Sequence, residues 1–175
     1  VLSCTGLLLD SVKDSEERKL LKIIENSGDS LLTLINDILD YSKIESGRID
    51  LEKEPFNLKE NLEEIIALLH PKALEKNINL ECRFEKLSTE WVLGDSTRFR
   101  QIITNLVGNA IKFTKSKIEI EVSSEKSLPE SDEFTIRVSV KDDGIGISRN
   151  AQQRLFKSFS QVDASTTRKF GGTGL

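Results

Sequence analysis

The sequence predicts an α+β protein, a two-layer α/β sandwich preceded by an α-helical hairpin. Three observations lead there. Apolar residues recur on an alternating step of four and three along a proline-free run from Ser15 to about Gly47. Past Pro55, helical periodicity alternates with stretches of period two. The chain has 175 residues, 37% apolar and 31% charged, which suits one domain core with a helical extension and no more.

The elements follow in chain order. Leu7, Leu8, Leu9 and Val12 form a short apolar helix that fades into charged residues. Ser15, with Glu16 and Glu17 behind it, is the expected N-cap of the long helix. One track on that helix runs through Leu20, Ile24, Ser27, Leu31, Leu34, Ile38 and Tyr41, and a second through Leu21, Leu32, Ile35 and Leu39. Two such stripes are too wide for a single neighbour, which favours a dimeric four-helix bundle made with a second copy through residues 1–46. Packing onto the rest of the chain is the alternative. Gly47 and Pro55 mark the boundary, giving a hairpin over 1–50 and a second domain over 51–175.

In that second domain, residues 58–76 read as an amphipathic helix through Leu62, Ile65, Ile66 and Leu69. Strands are expected at 78–84 and 91–93. Residues 95–113 are again helical, with Phe99, Ile102, Ile103, Leu106, Val107 and Ala110 inward. Two more strands, 117–124 and 134–142, flank a polar turn at 127–132. A glycine loop at 143–148, a helix at 150–158 and a basic, glycine-ended flap at 160–174 complete the chain.

Several function classes drop out early. Lys and Arg number 25 against 29 Asp and Glu, a net charge of −4, and the basic residues are scattered, so no nucleic-acid footprint is present. No 18-residue apolar run could span a membrane. Whether a longer parent protein touches a membrane is left open. Cys4 and Cys82 lie far apart without metal-spaced partners and read as buried or idle thiols in a reducing compartment. There is no Met, and the edges at Val1 and Leu175 cut through patterns, as in a piece of a longer protein.

Three segments carry chemistry. Asn105 and Asn109 sit one helical turn apart and Lys112 three residues further on the same face, ahead of Phe113. Such a stripe suits a hard cation held through an amide oxygen, with phosphates and waters as its other ligands; ordinary surface amides explain it equally well. Asp142-Asp143-Gly144-Ile145-Gly146-Ile147 follows a strand. A carboxylate there can accept a hydrogen bond from an exocyclic amine while glycines let the backbone pass close to a flat ligand; a simple tight turn is the alternative. It is not a P-loop, since no G-K-[ST] follows. Last comes Phe156 and Phe159 ahead of Arg168, Lys169, Gly172, Thr173 and Gly174. Free backbone N–H groups and two cations suit phosphate oxygens, or else a plain flexible loop.

Together these segments resemble the catalytic region of a sensor histidine kinase of the two-component or hybrid type. The run from Leu31 to Glu45 is similar to the second helix of that family's dimerisation domain. Residues 105–114 resemble its N box, 142–147 its first glycine box, 156–159 its F box and 172–174 the start of its second glycine box. The resemblance implies a Bergerat-type (GHKL) ATP-binding fold. It implies that Asn109 ligates Mg²⁺ on ATP, that Asn105 helps place the triphosphate, and that Lys112 meets phosphate oxygens beside Phe113. Asp142 would bind the adenine amino group, with Gly144, Gly146 and Ile147 lining the base pocket. Thr173, Gly174 and Gly172 would lie under the phosphates, with Arg168 and Lys169 on a lid anchored by Phe156 and Phe159.

The implied activity is phosphoryl transfer from ATP to a histidine upstream of Val1, then relay to the aspartate of a response-regulator receiver domain, in the cytoplasm. The chain's one histidine, His70, is read as a helix-end or surface residue without the H-box neighbours, so these residues alone would not phosphorylate themselves. Two other readings stand beside this one. A GHKL-type ATPase would want a glutamate where Asn105 stands, because an amide cannot take a proton from water. A silent pseudokinase scaffold would use only the dimerising helices.

Overall fold

The computed structural model describes residues 2–85, 87–126, 133–153 and 155. They form two compact units, one of residues 2–49 with the short helix from Arg149, the other Asp50–Ser148. No described helix is long and apolar enough to cross a membrane.

The first unit is a hairpin of helices α1 (Leu2–Ser11) and α2 (Ser15–Glu45). The cap of α2 is Asp14 rather than Ser15: its carboxylate accepts from the backbone N–H groups of Glu16 at 2.8 Å and Glu17 at 3.0 Å. A full negative charge at a helix N-terminus gains from the dipole as well as from the hydrogen bonds, so the aspartate takes the extended cap position and the serine becomes helical. The other end is a Schellman turn, with Gly47 at φ 64°, Gly47 N–H on Ile44 O and Arg48 N–H on Lys43 O.

The two helices meet closely at Gly28, where a Cβ would come within 2.5 Å of Leu2 Cδ2. Yet no residue of α2 is buried. Leu20, Ile24, Leu31 and Ile38 of the first stripe and Leu32, Ile35 and Leu39 of the second are all exposed. Leu21, Leu34 and Tyr41 are half-buried. The short helix α5 (Arg149–Gln152) starts one residue ahead of the expected 150–158; residues 154 and 156–158 of that expectation lie outside the described ones, as does the polar turn at 127–132.

The second unit runs β1 (Glu54–Asn57), α3 (Leu58–Glu75), β2 (Asn79–Glu85), β3 (Trp91–Gly94), α4 (Ser96–Phe113), β4 (Lys117–Lys126) and β5 (Phe134–Asp142). Its main sheet has the order β2-β4-β5, with β2 parallel and β5 antiparallel to β4. Strands β1 and β3 pair antiparallel in a separate ribbon. Sequence periodicity missed β1 because four residues, one of them Pro55, are too short to show alternation; a proline is tolerated there because the strand pairs along one edge only.

Helices α3 and α4 cover one sheet face. The core consists of Leu58, Leu62, Ile65, Leu69 and Ala73 from α3, Ile78 just ahead of β2, Ile103, Val107, Ala110 and Ile111 from α4, and Ile118, Ile120 and Val122 from β4. Asn57 caps α3 through Lys59 and Glu60 N–H, and Asp95 caps α4 through Arg98 N–H. Asn77, at φ 56°, closes α3 with the same Schellman bonding that Gly47 gives α2, and Lys76 Nζ reaches across to donate to Ile111 O at 3.0 Å.

One expectation needs correcting, and two are narrowed. Ile102 and Leu106 are exposed, at 57% and 44%, not inward. At 100° per residue the stripe of Phe99, Ile103, Val107, Ala110 and Ile111 fixes the buried side, which turns residues 102 and 106 toward the side of Asn105 and Asn109. His70 is exposed but not at a helix end, because α3 continues past Pro71 with Ala73 buried beneath it. Cys4 is exposed, while burial pushes the half-buried Cys82 thiol up to about 11.

The outer sheet face is a grid of charge. Glu81 and Glu119 stand in register on β2 and β4, and their like charges are offset by Arg83 at 2.8 Å from Glu81 and Lys117 at 2.8 Å from Glu119. The Asn79 amide and then Arg83 hold the Glu81 carboxyl below its ordinary value, Lys117 does the same for Glu119, and both cations are held above theirs by these hydrogen bonds.

Two stability outcomes are expected. Leu62→Ala, at a fully buried site, should cost about 2–5 kcal/mol in urea unfolding followed by fluorescence of Trp91, the chain's one tryptophan. Asp14→Ala should weaken the hairpin by about 1 kcal/mol, seen as lost helical circular dichroism on heating, while Ser15→Ala should do far less.

Candidate nucleotide-binding site

The candidate residues that lie within the described chain come from two places, the outer face of α4 and the loop after β5. Asn105 and Asn109 are exposed and share their face with Ile102 and Leu106. Lys112, half-buried, lies with its ammonium 5.0 Å from the centroid of the Phe113 ring. Along the helix Asn109 stands about 6 Å, and Asn105 about 12 Å, before Phe113, at 1.5 Å rise per residue.

The loop begins where β5 leaves the ladder, with Asp142 opposite Ile118. Gly144 N–H donates to Asp142 Oδ1 at 2.8 Å, which fixes the carboxylate; Oδ2 accepts nothing from the described residues. Gly144 itself has no room for a side chain. A Cβ there would lie 2.6 Å from Phe113 O and 2.5 Å from Asp142 Oδ1, so the loop rests directly on the last turn of α4. Gly146 holds φ 68°, a left-handed conformation that glycine adopts without strain. Ile147 is 47% exposed beside it in sequence.

The fold thus joins Phe113, Asp142 and Gly144 in direct contact, with the amides one and two turns back along α4. Arg168, Lys169, Gly172, Thr173 and Gly174, together with Phe156 and Phe159, lie outside the described residues.

Sequence reasoning missed the residue that makes this junction. Asp143 Oδ1 accepts from the backbone N–H groups of Lys115 at 3.1 Å, Ser116 at 3.0 Å and Lys117 at 3.1 Å, and from the Thr114 hydroxyl; Oδ2 accepts from the Ser116 hydroxyl. The Ser116 and Thr114 hydroxyls and the backbone donors hold its carboxyl well below the usual carboxylate range. Asp143 N–H in turn donates to Lys117 O at 3.3 Å. A signal was available in the serine and threonine of Thr114-Lys115-Ser116, but nothing in sequence pairs that turn with a loop 27 positions away.

The described residues hold no cluster of three or more His, Cys, Asp or Glu side chains fit for a metal ion. What α4 offers is amide oxygen. That donor set suits Mg²⁺, which keeps several waters and binds chiefly through nucleotide phosphates, and does not suit a metal caged by protein.

Comparison with known proteins bears on both units. Residues 1–47 match the family model of the His Kinase A (phospho-acceptor) domain, and residues 94–175 that of the histidine kinase-, DNA gyrase B- and HSP90-like ATPase. The signal transduction histidine-protein kinase BarA of Escherichia coli is 42% identical over 175 residues, covering 100% of this chain and 19% of BarA. Histidine protein kinase 1 of Candida albicans is 43% identical over the same length, 7% of its own. Among solved structures, full-length ShkA in complex with AMPPNP superposes with a TM-score of 0.74 at 30% identity, over 99% of this chain and 35% of that one. Histidine kinase ThkA in complex with response regulator protein TrrA gives 0.58 at 32% identity, over 91% and 46%. The chain spans a small part of its curated relatives, and His70 lies outside both matched segments. From its helical hairpin to its glycine loop, the chain belongs to the sensor histidine kinases.

Proposed function

We propose that residues 51–175 bind Mg-ATP and pass its γ-phosphate to a histidine outside this chain, for relay to the aspartate of a receiver domain. The observation that carries the reading is the Asp142 carboxylate, oriented by Gly144 through one oxygen and accepting nothing from the described residues at the other, on a loop seated against an amide-bearing helix. Oδ2 accepts the adenine exocyclic amine. Gly144 and Gly146 admit the flat base, and Ile147 packs on it. Asn109 offers its side-chain oxygen to Mg²⁺, Asn105 orients the triphosphate, and Lys112 meets phosphate oxygens. Bound Mg²⁺ supplies charge neutralisation on those oxygens. Arg168, Lys169, Gly172, Thr173 and Gly174 complete the phosphate side.

Transfer rather than hydrolysis is favoured because Asn105 brings no carboxylate to deprotonate water. The chemistry then rests on positioning, with the nucleophile delivered from outside. ThkA's complex with a response regulator supports an analogous acceptor here. Residues 1–46 dimerise: α2 carries two exposed apolar stripes on a segment that matches the phospho-acceptor domain. We assign the work of these residues to the cytoplasm, where ATP is supplied.

Incubating the whole protein with γ-labelled ATP should leave an acid-labile label on histidine; rapid release of free phosphate with no retained label would support the ATPase reading instead. Asp142→Asn should weaken a fluorescent ATP analogue by roughly tenfold or more through loss of a charge-assisted contact, and Asn109→Asp should weaken it by placing a negative charge beside the phosphates. Unchanged affinity in both would refute the site. Leu31→Glu with Ile38→Glu should shift the solution mass from dimer to monomer in light scattering.

A further inference from the structure

The adenine site has a residue that touches no nucleotide in this reading and yet sets its geometry. Asp143 is the first residue beyond the β4–β5 ladder, whose last registered pair is Ile118 with Asp142. Past such a point a strand end ordinarily frays, and here the next four residues hold the glycines of the loop. Instead Asp143 is tied down twice, by its own N–H on Lys117 O and by a carboxylate that accepts from two hydroxyls and three backbone N–H groups. All those donors belong to residues 114–117, the turn that leaves α4. The clamp therefore joins the loop to the end of the amide-bearing helix.

Alternation gives the clamp its direction. Successive side chains on extended backbone point to opposite sides, so fixing residue 143 toward the turn sends the Asp142 carboxylate the other way. The same anchor seats Gly144 against Phe113 O, from where its N–H holds Asp142 Oδ1. We propose that Asp143 is a positioning residue for adenine recognition, clamping the glycine loop to the turn after α4 so that Asp142 faces the base. The inference rests on the nucleotide reading above and deepens it: Asp142 makes the contact, and Asp143 orients it.

The test is equilibrium titration of the whole protein with ATP and with GTP, each with Mg²⁺. Base preference separates the two roles, because a structural defect lowers both affinities together while a misaimed Asp142 loses only the adenine contact. Asp143→Ala should cut the preference for ATP over GTP by about tenfold, one well-placed hydrogen bond, with GTP affinity nearly unchanged. Asp143→Asn keeps an acceptor oxygen for the backbone donors and should restore the preference to within about twofold. Should Asp143→Ala fail to fold, Thr114→Val with Ser116→Ala removes both hydroxyl donors and leaves the backbone ones, and a smaller loss of the same ratio is expected. An unchanged ratio in whichever of these variants folds, or parallel losses for ATP and GTP, overturns the inference while the nucleotide reading stands. Wild-type protein that shows no preference for adenine overturns both.

Discussion

The carbonyl oxygen of Phe113 occupies the space where a side chain at position 144 would begin. That contact fixes how far the loop after β5 can lie from the end of α4, and the geometry of the site follows from it. Any residue but glycine would force the loop outward. The Gly144 N–H would then lose its line to Asp142, and the carboxylate would be free to rotate. Asp143 acts on the same junction from the other side, drawing the loop inward by charge-assisted hydrogen bonds, while the missing Cβ lets it arrive. Attraction and the absence of an obstacle are both required.

Much of this architecture could be read from the residues because local rules and burial agree. α4 is a case in point. Asp95 supplies the cap, Phe113 the last helical position, and the spacing of Ile103, Val107 and Ala110 the buried stripe. Misplacing Ile102 and Leu106 had a physical cause: hydrophobicity alone cannot distinguish a core-facing leucine from one that shares an exposed face with Asn105 and Asn109. Only the phase of the whole stripe does so. β1 escaped for a different reason, since four residues paired along a single edge leave almost no periodic trace. Asp143 could not be read from sequence as more than a loop residue. Its partners are set by the register of β4 against β5, a long-range property that no short motif encodes.

The helical hairpin makes the complementary point. Its caps are complete at both ends, from Asp14 to the left-handed Gly47, so α2 is well defined as a helix. Most residues of its apolar stripes nevertheless remain exposed among the described residues. Local signals thus specify the element, while the proposed dimer would supply the surface that covers it. In the second unit the opposite holds, and α3, α4 and β4 satisfy each other within one chain.

Lys76 adds a constraint on how such a unit can change over time. Its ammonium reaches the carbonyl of Ile111, thirty-five positions further on, and so ties the finish of α3 to the finish of α4. The two helices thus end beside one another at a shared corner. Lengthening or shortening either by a residue would rotate that corner and drag the nearby loop with it. Drift in this lineage is accordingly expected to spare the helix lengths and to accumulate in side chains on the outer sheet face, where one ion pair can be exchanged for another.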